Sequence, residues 1–468
     1  MNDRLILDLL APTDWKGALR VSFAPASDEM TSGQPGEVSL RLDEKRAVVS
    51  LGKADKINAE AVRKSGGLLL KWLEKHAIHS AGLEVASLAA AGLPEETAFQ
   101  ALTEGLLLAA FRFERYKSGA GAKPPIRISL LSAEAARLQT LVEKTRIVVE
   151  AVNLAREWAH EPANVINPVT LAERVQKLAI ETGLKCTVLD DKRLAEMGAG
   201  AIVAVGKGSN TPARLILLEH AGEGSEKAPV VLVGKALTFD TGGYSLKSSE
   251  GIVGMKYDKC GAMAVIAVLA AAARLKLPLR LVGVIAAAEN MISGGAYRPN
   301  DILKSLSGKT IEVISTDAEG RLVLADALAY AQQTYRPRLM IDIATLTGGV
   351  ITALGSVRAG LMSNNDALAA DLLAAGERTH ERLWRLPLDE DYFEQIKGDD
   401  ADIKNSGGSK ASPVIGGMFL KQFVADETPW AHLDIAGMMN FDKDSAYCVK
   451  GASGFGVRLL LDYLSRLD

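Results

Sequence analysis

Hydrophobic positions in about the first 130 residues follow two spacings, one typical of strands and the other typical of helices. Short apolar runs predict strands at 47–51, 82–88 and 126–131. Apolar residues three and four positions apart predict helices over 58–76 and 94–116. This alternation predicts a small α/β domain, and its polar residues show no evident chemistry.

A long helical pattern then runs from about 133 to 160, and the dipeptide Glu161-Pro162 ends it. A helix of this length is predicted to bridge two domains. We therefore expect an N-terminal accessory α/β domain at 1–145 and a larger domain at 146–468. A stretch rich in Gly, Ala and Pro at 117–125 predicts a surface loop.

The larger domain alternates strand-like runs with helical patterns. Six short apolar runs are suited to buried strands, at 201–205, 213–218, 229–234, 279–286, 311–315 and 339–344. Helical patterns separate several of them, which predicts a mixed sheet with helices on both faces. The predicted fold class is therefore α/β with two domains.

The composition is that of a globular protein without a strong charge bias. Hydrophobic residues make up 48% of the 468 residues, charged residues 24%, and the net charge is −3. This balance argues against a general binder of nucleic acid or of anionic membranes. The three widely separated cysteines form no CxxC pair, which favours reduced thiols in a cytoplasm.

The sequence lacks the marks of a secreted or membrane protein. Asp3 and Asp8 interrupt the start of the chain, so we expect no signal peptide there. The longest apolar runs, such as 263–273, are too short to span a bilayer. We expect a soluble, cytoplasmic protein with no membrane partner.

Polar clusters follow three of the predicted strands. Ligand sites in open α/β sheets form at the carboxyl ends of strands. The residues at these ends are Lys235 and Asp240, then Asp317, Glu319 and Arg321, then a Thr-Leu-Thr-Gly-Gly segment at 345–349. Asp258, just before a predicted helix, and Lys247, shortly after a Gly-Gly turn, complete the candidate site.

The carboxylates of this set point to a metal centre. Asp240, Asp258, Asp317 and Glu319 offer oxygen ligands that suit magnesium, manganese or zinc. They are enough to bridge two ions about 3.5–4 Å apart. The six histidines show no pair at ligand spacing, so carboxylates must build any such site. Each carboxylate alone would more often be a helix cap or a solvated charge, but their grouping beside glycines favours the site.

The basic residues leave two interpretations open. In the simpler one, Lys235, Lys247 and Arg321 are surface charges. In the other, Lys247 holds a carbonyl oxygen and Arg321 holds a planar anion. A phosphate loop is excluded, because Pro229 and Ala236 stand where it needs Gly and Ser or Thr. Dinucleotide and nucleophile-elbow motifs are also missing from the sequence.

The segment Thr316-Asp317-Ala318-Glu319-Gly320-Arg321-Leu322 resembles the signature of the leucine aminopeptidase family, the M17 cytosol aminopeptidases. The spacing of Lys235, Asp240 and Asp258 ahead of this segment is also similar to the family's. The resemblance covers the chain from about Asn164 to its end, and the N-terminal part matches less specifically.

The resemblance implies that 146–468 is a catalytic domain with a two-metal centre. One ion would be held by Lys235, Asp240, Asp258 and Glu319, and the other by Asp240, Asp317 and Glu319 with the main-chain carbonyl of Asp317. Lys247 and Arg321 match the family's two catalytic positions. The residues implied to bind the substrate are Met255, Thr345, Leu346, Gly348, Ala436 and Met439. Ordinary core packing is the alternative for the two methionines.

The implied reaction is hydrolysis of the first peptide bond of a peptide by a metal-activated water. Lys235 would have to be neutral to bind an ion. The free N-terminal amine would bind a metal, Lys247 would stabilise the oxyanion, and Arg321 would hold a bicarbonate that acts as the base. The implied cofactors are two manganese or zinc ions, and the implied preference is broad, with Leu and Met favoured. The family also implies a homohexamer, which the sequence alone does not derive.

The chain departs from the family pattern beside some of these residues. Ser315 stands where the family has Asn. Lys259 and Cys260 replace Met and Gly after Asp258, which adds a positive charge next to an implied ligand. None of these departures removes an implied ligand or catalytic group, so activity is expected.

Two other functions stay open. Some members of the family bind DNA as accessory factors, and the acidic balance of this chain argues against that role. A different two-metal hydrolase, such as a phosphoesterase, could use the same carboxylates. The lysine within the site and the lack of histidine ligands argue against that alternative.

Overall fold

The computed structural model describes residues 4–26, 34–41, 45–118, 124–222 and 226–467. The chain divides into two compact units. The first contains Met1–Asn153 and Asp442–Gly451, and the second contains Leu154–Phe441 and Ala452–Asp468. Both combine helices with sheets, so the predicted α/β class with two domains is confirmed. The centre of the predicted loop at 117–125 lies outside the described residues.

The first unit is built on a six-stranded sheet. Its strands are β1 (Leu5–Leu10), β2 (Arg20–Ala24), β3 (Val38–Arg41), β4 (Arg46–Ser50), β5 (Ser80–Glu84) and β6 (Ile126–Leu131). Its helices are α1 (Ala59–Lys75), α2 (Glu95–Ala109) and the start of α3 (Ala135–His160), which continues into the second unit. The strand order is β1-β6-β5-β2-β4-β3, with parallel pairing except between β3 and β4.

The helices of this unit form close to where the apolar spacing predicts them. The Asn58 side chain accepts a hydrogen bond from the main-chain N–H of Ala61 and so caps α1. α2 ends at Ala109, seven residues before the predicted end at Tyr116. There the Arg112 guanidinium donates to the Ala109 carbonyl at 2.6 Å and satisfies one of the last carbonyls of the helix.

The predicted strand at 82–88 is wrong in its second half. Strand β5 ends at Glu84, and 85–91 form a 3-10 helix. This segment is rich in alanine and lacks the alternation of polar and apolar residues that a half-buried strand requires.

The short segment Asp442–Gly451 belongs to the first unit although it is distant in sequence. The Tyr447 hydroxyl lies 3.0 and 3.2 Å from the two carboxylate oxygens of Glu60 on α1 and donates there. Further along α1, a Cβ at Gly67 would lie 2.5 Å from the Ala446 carbonyl oxygen. Glycine at 67 therefore lets this segment lie directly against the helix.

The second unit holds the remaining elements, apart from Gly451 of the last strand, which belongs to the first unit. Its helices are α4 (Pro168–Thr182), α5 (Asp191–Met197), α6 (Gly200–Gly206), α7 (Ser249–Ile252), α8 (Cys260–Leu275), α9 (Glu319–Tyr335), α10 (Gly348–Leu354), α11 (Asp366–Thr379), α12 (Ser412–Lys421) and α13 (Val457–Leu464). The remaining strands are β7 (Lys185–Asp190), β8 (Arg214–Ala221), β9 (Val230–Asp240), β10 (Arg280–Asn290), β11 (Ile302–Lys304), β12 (Thr310–Glu312), β13 (Leu339–Ala344), β14 (Ala359–Ser363), β15 (Leu383–Arg385), β16 (Ile403–Lys404), β17 (Trp430–Asp434), β18 (Asn440–Phe441) and β19 (Gly451–Ala452).

The main sheet of this unit has eight strands in the order β15-β14-β17-β13-β9-β10-β8-β7. The four middle strands, β17, β13, β9 and β10, are parallel, so their carboxyl ends meet at one edge. Helices cover both faces of β9: Val231 and Val233 pack in one core with Leu322 of α9, whereas Gly234 faces Ala262 of α8. Among the described residues, no helix has both the length and the apolar character that crossing a bilayer requires.

The predicted strand at 201–205 is wrong, because these residues lie in helix α6. Asp326 on α9 accepts a hydrogen bond from the main-chain N–H of Ile202 at 2.9 Å and so satisfies the start of the helix. A short buried apolar run fits a helix as well as a strand, and periodicity alone does not separate the two.

The predicted strand at 311–315 is also largely wrong. Only Thr310–Glu312 is extended, and this strand pairs with β11 and β16 in a separate three-stranded sheet. The main-chain N–H groups of Ile314 and Ser315 donate to the side chain of Asn405, not to a neighbouring strand. The cluster that follows therefore begins in an irregular turn.

Candidate metal centre

A β-bulge brings Lys235 and Asp240 to the same side of strand β9. Residues five positions apart in a regular strand face opposite sides of a sheet. Leu237 pairs with Ala288 and Asp240 pairs with Asn290, so β9 has one more residue than β10 in this stretch. A bulge of this kind reverses the alternation beyond it. Lys235 and Asp240 are both buried at the sheet edge.

Asp317 lies in the turn that precedes α9, and Glu319 lies where the helix begins. Glu319 is the first residue of the helix, and the turn before it is irregular, so both carboxylates reach the same space. The Ser315 hydroxyl accepts a hydrogen bond from Asp317 N at 3.2 Å. A Cβ at Gly320 would lie 2.6 Å from Lys235 Nζ, so glycine allows α9 to begin against that lysine.

Asp258 reaches the centre from the start of α8. A Cβ at Gly261, in the first turn of this helix, would lie 2.1 Å from the Ile343 carbonyl oxygen of β13. This close approach places the first turn of α8 directly against the sheet. The Thr345 hydroxyl then donates to Asp258 Oδ1 at 2.6 Å, and Lys235 Nζ lies 2.9 Å from the same oxygen.

The structure brings the predicted ligand residues together. Carboxylate oxygens of Asp240, Asp317 and Glu319 lie within 4.8 Å of one another. Asp258 joins this group through Lys235, whose Nζ is 2.9 Å from Asp258 Oδ1 and 2.9 Å from Glu319 Oε1. Their roles as ligands stay a prediction.

Lys247 lies on the other side of the same carboxylates. Its Nζ is 2.8 Å from Asp240 Oδ2 and 2.5 Å from Asp317 Oδ1. Burial lowers the pKa of Lys247, but Asp240, Glu319 and Asp317 together raise it by more, so its pKa lies above the ordinary value. Lys247 is therefore a fixed cation within reach of the centre.

Burial and the neighbouring negative charges raise the pKa of two carboxyl groups in the centre. Burial, and then the neighbouring Asp240 carboxylate, raise the pKa of Glu319 to about 8. Burial raises the pKa of Asp258 to about 6. Burial lowers the pKa of Lys235, but the carboxylates around it raise this pKa by more. The centre thus favours additional positive charge.

Two buried carboxylate oxygens show whether the residues of this centre suit a metal ion. Asp258 Oδ2 and Glu319 Oε2 are buried and have no hydrogen-bond partner among the residues that the structure describes. An unpaired buried acceptor is costly, and a divalent cation is a partner of suitable charge. Carboxylate oxygens with one amine nitrogen are donors that manganese and zinc accept. The residues present therefore fit a metal centre.

Arg321 lies in the first turn of α9 and is buried. Its Nη1 donates to the carbonyl of Asn405 at 2.9 Å, and within the described part of the chain its Nε has no hydrogen-bond partner. Burial lowers the pKa of Arg321 to about 10, which still leaves it cationic at neutral pH. The unpaired Nε–H is suited to a small anion.

Asp434, at the end of β17, connects two segments that carry predicted substrate-binding residues. Its Oδ1 accepts hydrogen bonds from Leu346 N at 3.1 Å and from Ala436 N at 3.2 Å. Its Oδ2 accepts from the Thr347 hydroxyl at 2.6 Å, and Thr347 caps α10, which begins at Gly348. Sequence reasoning missed Asp434, although it ends a strand at the same edge as Asp240.

The remaining predicted pocket residues flank Asp258. Met255 lies in a 3-10 turn, and its carbonyl accepts a hydrogen bond from Asp258 N at 3.2 Å. The Met439 carbonyl lies 3.7 Å from Cys260 Sγ, which donates to it. Both methionines are partly buried, and their contact with substrate stays a prediction.

Asn290 and Tyr297 are two further residues of the centre that sequence reasoning missed. Asn290 Nδ2 donates to Asp240 Oδ1 at 2.8 Å and to the Thr316 carbonyl at 3.0 Å. The Tyr297 hydroxyl donates to the same carbonyl at 2.7 Å. Asn290 is the last residue of β10, next to β9, so the strand-end rule that selected Asp240 could have found it. Tyr297 lies in a loop and carries no such signal.

The structure directs Lys259 away from the carboxylates. Its Nζ donates to the carbonyls of Ala159 at 3.1 Å and Glu161 at 2.9 Å, and also to that of Lys256. Burial lowers the pKa of Lys259 to about 7. The amine therefore lies at the end of α3, although its residue follows Asp258 directly in the sequence.

Known proteins resemble this chain over most of its length. Residues 153–461 match the catalytic domain of the cytosol aminopeptidase family, and residues 31–120 match the N-terminal domain of that family. A probable cytosol aminopeptidase of Syntrophotalea carbinolica is 46% identical over 425 residues, which cover 90% of this chain and 85% of the relative. A cytosol aminopeptidase of Pseudomonas aeruginosa is 43% identical over 429 residues, with coverage of 90% and 85%.

The solved structures give a matching result. The bottromycin maturation enzyme BotP in complex with Mn is similar with a TM-score of 0.87 and 34% identity. The superposition covers 96% of this chain and 99% of that enzyme.

Proposed function

This chain belongs to the cytosol aminopeptidase family and is an aminopeptidase, and we propose that it works with two divalent cations held by its carboxylate centre. The observation that carries the proposal is the pair of buried, unpartnered oxygens on Asp258 and Glu319. They lie in a cluster whose other carboxylates are fixed by protein hydrogen bonds and ion pairs. A divalent cation is a partner that suits both oxygens.

The proposed ligand sets are those that the family resemblance implies, and the closeness of these side chains supports them. Lys235, Asp240, Asp258 and Glu319 would hold one ion, and Asp240, Asp317 and Glu319, with the Asp317 carbonyl, would hold the other. Two ions in such a cluster supply an activated water and polarise the carbonyl of the scissile bond. The Mn in the BotP complex supports manganese, and zinc is the alternative.

The chain's own residues would do the rest of the chemistry. Lys235 must lose its proton before its nitrogen binds an ion. Lys247 Nζ, now 2.8 Å from Asp240 and 2.5 Å from Asp317, would donate to the oxyanion that forms at the scissile carbonyl. Arg321 would hold bicarbonate as the proton acceptor through its unpaired Nε–H.

The first side chain of the peptide would lie against apolar groups. Met255, Ala436 and Met439 would offer such a surface, and Thr345, Leu346 and Gly348 would complete the proposed pocket. Flexible thioether side chains adapt to different apolar shapes. We therefore propose a broad preference in which Leu and Met are favoured.

Hydrolysis of leucine-p-nitroanilide tests the function and the site together. The purified protein would be treated with EDTA, and Mn²⁺ or Zn²⁺ would then be added while bound metal is measured by mass spectrometry. We expect metal-dependent release of p-nitroaniline with two ions per chain. Lys247→Ala and Glu319→Ala should each lose most of this activity, by a factor of about 100 or more.

Two controls show whether cleavage depends on the centre and on a free N-terminal amine. Lys185→Ala removes an exposed lysine of the edge strand β7, which pairs with Glu219 of β8. This variant should leave the activity unchanged. Acetyl-leucine-p-nitroanilide, whose amine is blocked, should not be cleaved. No hydrolysis by folded protein that has bound two ions would refute the proposal.

Separate assays test the phosphoesterase and DNA-binding alternatives. Hydrolysis of p-nitrophenyl phosphate in place of leucine-p-nitroanilide would favour a phosphoesterase. A salt-dependent mobility shift with duplex DNA would favour the DNA-binding role. Sedimentation analysis tests the proposed homohexamer, and cell fractionation tests the proposed cytoplasmic location.

A further inference from the structure

Asn405 is a fully buried amide next to the candidate centre. It follows strand β16, and its main-chain N–H donates to the Glu312 carbonyl at 3.0 Å, which extends the pairing of β16 with β12. We propose that Asn405 is a positioning residue that fixes the turn carrying Asp317 together with the guanidinium of Arg321. This inference rests on the proposed function of that centre.

The Asn405 side chain holds both sides of the turn. Its Oδ1 accepts hydrogen bonds from Ile314 N at 2.8 Å and Ser315 N at 3.3 Å. Its Nδ2 donates to the Ser315 carbonyl at 2.7 Å and to the Ala318 carbonyl at 3.4 Å. Asp317 lies between the residues that are held in this way.

The turn needs a partner of this kind because it has no regular structure of its own. The chain becomes helical only at Glu319, so the main-chain groups before it must bond elsewhere. A carboxamide supplies donors and acceptors from one planar group. Ser315 belongs to the same arrangement, since its N–H and its carbonyl bind Asn405 while its hydroxyl binds Asp317 N.

Asn405 fixes Arg321 through its main chain. Arg321 Nη1 donates to the Asn405 carbonyl at 2.9 Å. The amide that holds the turn and the carbonyl that holds the guanidinium belong to one residue. A displacement of Asn405 would therefore move a proposed metal ligand and a proposed catalytic residue together.

The first experiment compares hydrogen exchange in the metal-free protein. Asn405→Ala removes the whole carboxamide. Asn405→Asp keeps its size but places an oxygen opposite the Ser315 and Ala318 carbonyls. We expect both variants to exchange faster than the wild type over 313–318 and to be unchanged over β9. Unchanged exchange over 313–318 in both variants would overturn the inference.

The second experiment measures Mn²⁺ binding by titration calorimetry together with leucine-p-nitroanilide kinetics. Residues that orient metal ligands typically contribute about 10- to 100-fold in metal affinity or activity. We expect Asn405→Ala to weaken binding of at least one of the two ions by about that factor. We also expect kcat to fall more than KM rises, because loss of the carboxamide lets the backbone at 405 shift, and the carbonyl that holds Arg321 shifts with it.

Asp326→Ala is the matched control for a loss of stability alone. Asp326 is also buried and also bridges two main-chain segments, with Ile202 N at 2.9 Å and Leu306 N at 2.8 Å. The control should lower the melting temperature but leave Mn²⁺ affinity and exchange over 313–318 unchanged. Equal losses of Mn²⁺ affinity in the control and in Asn405→Ala would overturn the inference, since both would then follow from destabilisation.

The two experiments distinguish this inference from the proposed function. If the wild type binds neither Mn²⁺ nor Zn²⁺, the proposed function fails, and the exchange comparison still decides whether Asn405 holds the turn. If the wild type binds two ions and Asn405→Ala binds both as tightly, the inference fails while the proposed function stands.

Discussion

Gly320 leaves no room for a side chain beside Lys235. A Cβ at this position would lie 2.6 Å from both Nζ and Cε of the lysine. To make room, either the start of α9 or Lys235 must shift, and a shift of Lys235 would weaken its contacts with Asp258 and Glu319, which lie 2.9 Å from its Nζ. We expect Gly320→Ala to lower kcat/KM for leucine-p-nitroanilide by about 10- to 100-fold, because it displaces a proposed ligand.

Gly294→Ala is the matched control for that substitution. Apart from Gly294 and its two chain neighbours, no described residue has an atom within 4 Å of the position that a Cβ at Gly294 would take, so the added methyl group should be tolerated with full activity. The two variants would be assayed side by side under saturating Mn²⁺. Wild-type activity of Gly320→Ala would contradict the close contact between α9 and Lys235.

At the residue scale, the sequence predicts a side chain well when it lies near the carboxyl end of a strand. Asp240 was selected because it comes after the strand predicted at 229–234, and the structure extends β9 to Asp240 and places it beside Asp317. Asn290 was missed because the predicted strand ended at 286, four residues too early. Asn405 could not have been found by this rule, because its place depends on the pairing of β16 with a strand about ninety residues earlier in the chain.

At the scale of elements, a buried His–Asp pair joins β13 to β17 within the main sheet. His432 Nδ1 lies 2.5 Å from Asp342 Oδ1, and Trp430 Nε1 donates to Asp342 Oδ2 at 2.8 Å. All three side chains are fully buried. Burial lowers the pKa of His432, but Asp342 raises it by more, so its pKa lies above the ordinary value.

The His432–Asp342 pair should make the free energy of unfolding decrease as pH rises. Between the unfolded pKa of His, about 6.5, and the higher folded value, the folded chain binds the proton more tightly than the unfolded chain does. The free energy of unfolding should therefore fall as pH rises through that range, by at most about 1.4 kcal/mol per pH unit from this residue. Urea unfolding of the metal-free protein from about pH 6 to about pH 9 measures the slope.

The variant His432→Asn isolates the contribution of the histidine. Asn keeps a donor toward Asp342 but carries no titratable charge. We expect its unfolding free energy to lose part of the wild-type pH slope. Identical slopes in the two proteins would show that His432 does not take up a proton on folding.

Elements with strong periodicity were predicted well, and most short apolar runs also form the predicted strands. The runs at 201–205 and 311–315 are the exceptions in the larger domain. The strand at 126–131 and the helix at 58–76 appear almost as predicted, because period and length agree there. The run at 201–205 became helix α6 because its partners, such as Asp326 at its first turn, come from a distant helix. The bulge in β9 has no sequence signal either, since it depends on the register with β10.

At the scale of the whole molecule, the first unit is assembled from two separated parts of the chain. The predicted boundary between 145 and 146 stays a prediction. That prediction did not include Asp442–Gly451, which lies near the C-terminus and packs on α1 through Tyr447 and Ala446. No periodicity marks so short a segment, because its conformation follows from contacts with residues far away in the sequence.

Tyr447→Phe tests how strongly this segment is held. The variant removes a hydroxyl that donates to the buried Glu60 carboxylate, an interaction worth about 1.5–3 kcal/mol. We expect faster hydrogen exchange over 444–448 and over the first turns of α1, with no change over β9 or α9. The value of kcat/KM for leucine-p-nitroanilide should also stay the same, because the candidate centre lies in the second unit.

Two results of the hydrogen-exchange measurement would contradict this prediction. Unchanged exchange over 444–448 would show that the hydroxyl contributes little to holding the segment. Faster exchange in α9 as well would show that the substitution loosens the second unit, against the division described above.

The divided first unit has a consequence for synthesis of the protein. Residues 1–153 leave the ribosome first, but the segment that completes their unit follows only after residues 154–441 have been made. At roughly 5–20 residues per second, translation of that stretch takes roughly 15–60 s. During this time α1 presents Glu60 and Gly67 without Tyr447 and Ala446, so the first unit stays incomplete until residues 442–451 have been made.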